Sequence, residues 1–478
     1  MIIFKRGFAT FTALLLFSMT LISTQQVQFT DASTACVSYQ SGINTITINC
    51  DASFLDVVQT INDPGILVQE EDQEGGQYIL NANLEVADGV SFAMNSNEDG
   101  LRYLKLAGEN GIIVYGKILI NGVIITSWDI SDEEVIPQDM NGTIRRGYVQ
   151  FAASEGSQII NSEFGYLGDV EPGRRGVDLF GEGPSHDMVV RGSKFHDMWF
   201  AFYSNGAYNI TVDGNEYFNN IRYALDPHTV TYNMSITNNW LHNNPIGAIC
   251  SDRCYDILIE GNLVEHNSNA GIFLSRNMTN SIVRNNNIYN SSTGILVSES
   301  PNNLIYNNTI DGATEEGILL FDPDIPDDGS TQGNIAYNNV ISNSEDGIRA
   351  TRSQNNIVEN TTFSDIESSE YHLFGNSSII IRGQEFDDAL ISGEGVDVVD
   401  DDGDDGDDGD DGEDQVTENV VEIVGSGTIE VTEGEIDEED DDDGDDDDDG
   451  DEANSYNTDI EPYTTILGDG DSITVNSS

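Results

Sequence analysis

The segment Tyr223-Ala-Leu-Asp226-Pro-His228 brings a phenol, a carboxylate and an imidazole together in one strand-like run. Histidine titrates near neutral pH and often acts as a general base, and a nearby carboxylate can orient its ring. Pro227 interrupts the run, which indicates a bulge that redirects the neighbouring side chains. The segment therefore predicts a proton-transfer site at His228, with an ordinary surface histidine as the alternative.

Basic residues are scarce in this chain and concentrate around His228. The sequence has 86 Asp and Glu against 18 Lys and Arg, a net charge of -68, which argues against nucleic acid and anionic membranes as default partners. Seven of the basic residues and five of the six histidines lie between residues 174 and 276. This clustering predicts a groove for an extended anionic ligand, and pairing with neighbouring acids is the alternative.

A repeat positions these residues. From about residue 190, short apolar runs are followed by an Asn, a polar stretch and a Gly with an apolar pair. The period near 23 residues, without helical periodicity, favours an all-β parallel β-helix (solenoid) with roughly 12 coils over residues 75–385. Equivalent residues then stack about 4.8 Å apart, and the recurring Asn residues form an amide ladder. They are Asn215, Asn239, Asn262, Asn287, Asn308, Asn339 and Asn360.

Side chains one period apart share a column in such a fold. Counting eleven residues back from successive ladder positions places His228 in register with a serine on either side, and Arg253 lies two residues beyond one of them. The ligand-binding residues predicted from this column and from the basic stretch are Ser204, Ser251, Arg276, Lys194 and Arg222.

The N-terminus predicts export. Lys5 and Arg6 precede an apolar stretch from Phe8 to Ile22, as in a secretory signal, with an uncleaved membrane anchor as the alternative. We expect a secreted, cell-surface or periplasmic protein without a membrane span in the mature chain. The predicted organisation is a signal peptide and mature N-terminus (1–35), a cap with a short helix at 51–61 (36–74), the β-helix (75–390) and an acidic tail (391–478).

Four cysteines and nine glycosylation sequons fit an exported protein. We predict two local disulfides, Cys36–Cys50 and Cys250–Cys254, although four cysteines allow three connectivities. A metal site is the alternative for the Cys-x3-Cys pair, but it lacks the partners of a zinc finger. The sequons are at Asn141, Asn209, Asn233, Asn277, Asn290, Asn307, Asn360, Asn376 and Asn476.

Several segments, in order, resemble the exported mannuronan C5-epimerases of alginate-producing bacteria, a family of right-handed parallel β-helices. The likeness runs from about residue 75 to residue 365, and the ordered set is more specific than any one piece. The matching segments include Tyr78–Leu84, Leu101–Leu106, Ser162–Gly168, Val190–His196 and Tyr223–His228.

The resemblance implies roles for individual residues. His228 would be the catalytic base and Asp226 its motif partner, and Arg253 falls near the arginine that neutralises the substrate carboxylate. Two positions depart from the family pattern: Thr229 stands where the family usually has Asp, and Asp252 separates Ser251 from Arg253. Either change could move the arginine or alter the uronate that is accepted.

The implied reaction inverts C5 of a uronate in a polysaccharide. Arginine neutralises the carboxylate, His228 removes the C5 proton, and water or Tyr223 returns a proton to the opposite face. Loss of the C4 oxygen would instead make the protein a lyase. A glycosidase is less compatible because the column lacks a carboxylate pair. A non-catalytic, glycan-binding or cell-envelope β-helix is the alternative outside enzymology. We expect a monomer that requires no cofactor or metal.

The C-terminal tail holds 36 of the acidic residues and no Lys or Arg over residues 391–478. Like-charge runs at 398–414 and 436–452 predict disorder, with a β-prone piece from Val416 to Val431 between them. Neither run matches a known calcium loop, so we expect only loose Ca²⁺ association there.

Overall fold

The computed structural model describes residues 35–70, 76–323, 330–375, 377–392, 398–400, 420–432 and 465–467. Residues 1–34, residues 401–414 of the first acidic run and the whole second acidic run lie outside these ranges. Among the described residues, no helix has the length and apolar composition needed to cross a membrane.

Most of the described chain winds into coils that contribute to three mainly parallel sheets, here called A, B and C. Sheets A and B join at Ser378–Ser392, and the first strand of sheet C pairs antiparallel with the second. Sheet A contains Thr45–Ile48, Asn83–Val86, Gly111–Val114, Tyr148–Phe151, Gly176–Leu179, Phe200–Asn205, Tyr223–His228, Ile246–Cys250, Ala270–Ser275, Thr293–Ser298, Glu316–Phe321, Asp346–Thr351 and Ser369–Phe374. Sheet B contains Ala52–Ser53, Ser91–Asn95, Lys117–Asn121, Gln158–Ile160, Val189–Arg191, Tyr208–Asp213, Tyr232–Thr237, Tyr255–Glu260, Ile282–Arg284, Leu304–Tyr306, Ile335–Tyr337, Asn356–Glu359 and Ser378–Ser392. Sheet C contains Leu67–Gln69, Gln77–Leu80, Tyr103–Ala107, Ile124–Trp128, Glu163–Gly165, Lys194–His196, Glu216–Phe218, Trp240–His242, Leu263–Glu265, Asn287–Tyr289, Thr309–Asp311, Val340–Ser342 and Thr362–Ser364.

The core lies inside the coils and is built from columns of aliphatic side chains. Ile272, Ile295 and Ile318 are paired in register on successive strands of sheet A, and all three are fully buried. Burial of each such side chain contributes about 1.5–3 kcal/mol. The period of 23 residues thus gives the predicted parallel β-helix.

A short cap precedes the coils. The helix Phe54–Ile61 begins where the Asp56 carboxylate accepts hydrogen bonds from the backbone N–H and hydroxyl of Ser53, and it buries Phe54 and Val57. The strand Val37–Gln40 pairs antiparallel with Thr45–Ile48, and Cys36 is bonded to Cys50. The predicted helix and first disulfide are confirmed. The second helix is one turn, Ser96–Asp99.

The Asn ladder is present, with two positions shifted. Asn262 donates through its side chain to Asn286, and Asn286 donates to Asn308, at 2.9 and 3.0 Å. The predictions of Asn287 and Asn360 were each wrong by one residue, because consecutive Asn residues at 285–287 make the ladder position ambiguous and because Asn360 is the left-handed residue that precedes the buried position. Asn287 is the exposed first residue of a sheet C strand. Thr361, the residue after Asn360, occupies the buried position. Further buried Asn ladders are Asn220–Asn244–Asn267 and Asn303–Asn334–Asn356.

The C-terminal region adds strands, and the longest of those beyond residue 392, Val420–Thr432, agrees with the predicted β-prone piece. Ser378–Ser392 pairs in parallel with Val420–Thr432, and the short strands Val398–Asp400 and Thr465–Leu467 pair with each other. The β-prone segment is therefore a strand that extends the solenoid.

Candidate active site

His228 ends its strand of sheet A on the outer surface of the coil and is half-buried. It lies opposite Asn205 in the preceding coil and Ser251 in the following one. Its Nδ1 is 2.6 Å from the hydroxyl oxygen of Thr229. The carbonyl oxygen of His228 accepts a hydrogen bond of 2.7 Å from the buried Thr231 hydroxyl, which braces the backbone behind the ring.

The corner that follows sheet A has a left-handed backbone in successive coils. Thr229 and Val230 have φ of 38° and 60°, and Asp252 and Arg253 have φ of 62° each. β-Branched residues rarely adopt this conformation, and strained backbone of this kind clusters at functional sites. The two corners are joined because the N–H groups of Thr229 and Val230 donate to the carbonyl oxygens of Ser251 and Asp252.

Arg253 lies at this corner and forms a two-point ion pair with the adjacent Asp252. Its Nε and a terminal nitrogen donate to the two carboxylate oxygens at 2.8 and 3.0 Å. The hydrogen bond from Arg253, with one from Thr229, holds the pKa of Asp252 below its ordinary value. The backbone N–H of Arg253 donates to the carbonyl oxygen of Arg276 at 2.7 Å. Both predicted arginines therefore belong to this corner, one and two coils after His228.

On the other side of His228, the preceding coil contributes an aromatic and cationic stack. The Tyr203 ring lies 5.6 Å from the His228 ring, and the Arg175 guanidinium lies 4.1 Å above the Tyr203 ring. Burial raises the pKa of Tyr203 to about 12 despite the opposing effect of Arg175. Tyr203 therefore keeps its proton at neutral pH.

Asp178, Tyr203 and Asp226 form one column across three coils. Asp178 and Asp226 are both buried, and burial raises the pKa of Asp178 to about 7 although Arg175 opposes the shift. The Asp178 Oδ1 accepts no hydrogen bond from the described residues. Asp226 thus faces Tyr203 and lies two residues from the predicted base on the same strand.

Tyr223 begins the strand that ends at His228. Its ring meets Phe200 edge-on with centroids 5.1 Å apart. It belongs to a second apolar cluster of sheet A, which also contains Ile249, Phe273 and Leu296. Ile249, Phe273 and Leu296 are paired in register and continue the column of Tyr203 and Asp226 into the next coils.

The predicted register with His228 is confirmed at Ser251 and wrong at Ser204, while contact of either serine with a ligand stays a prediction. Ser204 pairs with Pro227, is fully buried, and lies 3.1 Å from the Thr231 hydroxyl. Arg276 lies one residue past its strand, beside Arg253 rather than in register with His228. The error arises because the number of residues between sheets A and B differs from coil to coil.

The basic stretch does not gather in one groove. Each coil crosses three sheets, so residues on consecutive coils can face different directions. Lys194 lies on sheet C, not on the sheet that carries His228, and pairs with Glu216 at 2.6 Å, so its contact with a ligand stays a prediction. His196 and His242 are also on sheet C. Arg222, just before the His228 strand, lies over the Trp199 ring at 5.3 Å.

The predicted Cys250–Cys254 disulfide was wrong. Both residues are buried free thiols. The Cys254 sulfur lies 3.2 Å from the Ser251 carbonyl oxygen and 3.5 Å from that of Pro227, in the layer beneath the corner. The short loop thus packs its sulfurs inward while presenting Asp252 and Arg253 outward.

Among the described residues, one group of side chains is close enough to share a metal ion, and it does not include His228. It contains Glu155, His186 and Asp187, whose ligand atoms lie within 4.8 Å of one another. His186 Nδ1 is 2.9 Å from an Asp187 carboxylate oxygen, and its ring stacks on Tyr208 of sheet B.

Sequence reasoning missed the roles of Tyr203, Arg175, Asp178 and Asp252. The signal for two of them was the repeat period, because Tyr203 precedes Asp226 by 23 residues and Asp252 follows Thr229 by 23. Tyr203 places a buried phenol beside His228, Asp252 and Arg253 lie at the corner of the next coil, and Arg175 and Asp178 lie next to Tyr203. Such an arrangement can remove a proton next to a carboxylate and stabilise the resulting charge.

Comparisons with known proteins agree with this architecture. The family described as "Right handed beta helix region" matches residues 141–283 and 228–386, about half of the chain. The mannuronan C5-epimerase of Pseudomonas syringae pv. tomato is 27% identical over 226 residues, covering 45% of this chain and 41% of that protein. The corresponding enzyme of Pseudomonas putida is 26% identical over 203 residues, covering 39% and 38%. The chain thus spans about two fifths of the length of these relatives.

Solved structures give the same fold over a longer span. The crystal structure of the periplasmic alginate epimerase AlgG has a TM-score of 0.53 at 17% identity, covering 90% of this chain and 85% of that chain. A single mutant of that protein has a TM-score of 0.56 at 18% identity. The predicted right-handed solenoid and the resemblance drawn from the sequence motifs are confirmed. On this architecture, with a family match over residues 141–386, the chain belongs to the right-handed β-helix family.

Proposed function

We propose that the protein is a C5-epimerase that acts on mannuronate-like residues within a polysaccharide. The observation that carries the proposal is the position of His228, between the Tyr203 ring of one coil and the Asp252–Arg253 corner of the next. A base next to cationic groups suits a substrate whose acidic C–H bond adjoins a carboxylate. The relatives named mannuronan C5-epimerases support the same assignment.

In the proposed mechanism, arginine and histidine side chains have different roles in the first step, the removal of the C5 proton. Arg253 and Arg276 neutralise the uronate carboxylate, which lowers the energy of the enolate-like dianion that forms when the C5 proton leaves. His228 takes that proton as general base, and Asp226 on the same strand helps to orient it. The C5 electron pair is delocalised into the carboxylate, so no bond to C4 needs to break.

The second step returns a proton to the opposite face of C5. A tyrosine that retains its proton at neutral pH can serve, and Tyr203 meets this condition because burial raises its pKa to about 12. Tyr203 therefore joins Tyr223 and water as a candidate donor. The two tyrosines are both buried; the Tyr203 ring lies 5.6 Å from that of His228, and the Tyr223 ring packs edge-on against Phe200.

The remaining features of the proposal concern the whole protein. We propose an exported monomer that acts on an anionic polysaccharide, with Ser251, Arg276 and Arg222 among the residues that contact it. We expect no metal or organic cofactor to be required, because the arginines supply the positive charge that the reaction needs. Loose Ca²⁺ association would be confined to the acidic tail.

The test is solvent deuterium uptake at C5 of polymannuronate, followed by proton NMR. Wild type should incorporate deuterium and form the C5 epimer, and His228→Ala should slow this by at least about 100-fold because the general base is lost. The matched control is His266→Asn, at an exposed turn residue with φ of 55°, a conformation that Asn tolerates. It should retain wild-type activity.

Three results would contradict the proposal. Wild type could bind the polymer without exchange, which would indicate a glycan-binding protein. His228→Ala could exchange as fast as wild type. A product with new ultraviolet absorbance from an unsaturated uronate would identify a lyase.

A further inference from the structure

A chain of polar contacts leads from the His228 ring to the next coil. His228 Nδ1 lies 2.6 Å from the Thr229 hydroxyl oxygen, and that hydroxyl lies at the corner stacked on Asp252, where it helps to lower the pKa of the Asp252 carboxyl. The chain ends at Arg253, which holds both oxygens of Asp252 at 2.8 and 3.0 Å. Thr229 and Asp252 are the two positions where the sequence departs from the family pattern. The structure brings these departures into contact.

The contact follows from the coil geometry. Thr229 and Asp252 are 23 residues apart, which is one coil, and each occupies a left-handed corner. The N–H of Thr229 donates to the Ser251 carbonyl at 3.0 Å, and that of Val230 donates to the Asp252 carbonyl at 2.9 Å. These bonds fix the two corners one above the other, so the Asp252 side chain is placed over the Thr229 hydroxyl.

The direction of the hydrogen bonds determines the tautomer of His228. An ionised carboxylate only accepts, so the single hydroxyl proton of Thr229 is donated to Asp252. The hydroxyl oxygen must then accept from His228 Nδ1, which places the proton of the neutral ring on Nδ1 and the basic lone pair on Nε2. A third group that orients the base is the general pattern of activated proton-transfer sites.

We propose that Thr229 and Asp252 are positioning residues that fix His228 as an Nε2 base and stabilise the imidazolium formed when it takes the C5 proton. This inference rests on the proposed function and deepens it. In the step itself, the C5–H bond breaks, its proton forms a bond to Nε2, and its electron pair passes into the carboxylate. The Nδ1 proton stays on the ring, held by Thr229, and the negative charge of Asp252 offsets the new positive charge.

Other charged and titratable groups surround His228 and must be considered in any pH dependence. Tyr203 contributes a neutral phenol from the preceding coil, with Arg175 stacked over it. Asp226 lies on the His228 strand. Arg253 and Arg276 lie at the corners of the following coils. Among these groups, Asp252 is the carboxylate that a hydroxyl connects to Nδ1.

Three variants of the full-length protein test the proposal. Asp252→Asn removes the charge, Thr229→Val removes the hydroxyl but leaves the Asp252–Arg253 ion pair, and Thr229→Ser keeps the hydroxyl as the matched control. Thermal melting and circular dichroism establish that each variant is folded. The readouts are the tautomer of His228 from long-range ¹H–¹⁵N NMR and the pH profile of kcat/KM on polymannuronate.

We expect wild type and Thr229→Ser to show the Nδ1–H tautomer. Thr229→Val should show a mixture of tautomers and a kcat reduced about tenfold with KM little changed. Asp252→Asn should move the acidic limb of the kcat/KM profile to lower pH by roughly half a unit, because the imidazolium loses a nearby counter-charge.

An Nε2–H tautomer in wild type, or a pH profile of Asp252→Asn identical to that of wild type, would overturn the proposal. The tautomer measurement needs no substrate, so its outcome is independent of the proposed function. If wild type shows no deuterium exchange while the tautomer is Nδ1–H, the epimerase assignment fails and the positioning chain stands.

Discussion

Asp178 is a carboxyl group buried in the coils that precede His228, and its titration should be visible in stability. Burial raises its pKa to about 7, well above the ordinary value near 4. A raised pKa of an acid means that the native state favours the protonated form. This contribution to stability is present below about pH 4 and is lost as the pH rises to about 7.

The free energy of unfolding of Asp178→Asn, relative to that of wild type, should therefore increase as the pH rises from about 4 to about 7. The difference in free energy of unfolding should change by up to about 1.4 kcal/mol per pH unit between about pH 4 and pH 7. Urea denaturation of both proteins at several pH values measures it. A difference that is constant over this range would show that Asp178 is ionised throughout.

Residue identity at the site could be predicted only in part. His228 and Asp226 were predictable because an interrupted strand carried an unusual combination of side chains, and both lie where the outer face of sheet A was expected. Tyr203 and Asp252 could not be assigned a role, because their proximity to His228 depends on a register across coils. Ser204 was assigned wrongly, since a shift of one residue turns a side chain from the outer face to the core.

At the scale of elements, the Asn ladder ties successive coils together at the corner between sheets B and C. Asn286 receives bonds from both the backbone and the side chain of Asn262, and it donates to the Ile259 carbonyl and to Asn308. All of these groups are buried. The ladder thus satisfies polar groups that would otherwise lie in the core without partners.

Asn286→Ala should lower the free energy of unfolding by about 3 kcal/mol, because it leaves several buried polar groups unsatisfied. The adjacent Asn287→Ala is a matched control, since Asn287 occupies an exposed strand position and should change stability by less than about 0.5 kcal/mol. Chemical denaturation measures both. Equal losses in the two variants would show that the ladder contributes nothing specific.

Strand-length apolar runs and their period made the solenoid predictable, since an interior column needs an aliphatic side chain in every coil. Turn lengths were less predictable. They depend on whether a corner takes one or two left-handed residues, as at Thr229 and Val230. This uncertainty of one residue produced the error at Ser204, whose corner has the single left-handed residue Gly206, and the error at Arg276 follows from counting back from Asn287 instead of Asn286.

At the scale of the whole molecule, part of the strongly acidic C-terminal region forms a strand of the solenoid. Val420–Thr432 covers the edge of the last long strand, Ser378–Ser392, by parallel pairing. An uncovered strand edge can pair with other chains. We therefore expect the region beyond residue 392 to affect the solenoid, contrary to what its charge alone predicts.

Two truncated proteins distinguish the effect of the strand Val420–Thr432 from that of the acidic run that follows it. Ending the chain after Thr432 should leave the melting temperature within a few degrees of wild type. Ending it after Ser392 should lower the melting temperature and cause concentration-dependent association, because the strand edge is exposed. Light scattering and calorimetry measure these effects. Identical behaviour of the two truncations would show that the pairing does not contribute to stability.

The stacked corners also bear on how sites on such folds change during evolution. A carboxylate on one coil and a carboxylate 23 residues later can address the same imidazole, because the two corners lie one above the other. A functional group lost from one coil can therefore be regained by substitution in its neighbour, while the backbone stays unchanged. Active sites on solenoids can drift along the coil axis in this way. Searches for distant relatives should then compare positions one coil apart, as well as contiguous motifs.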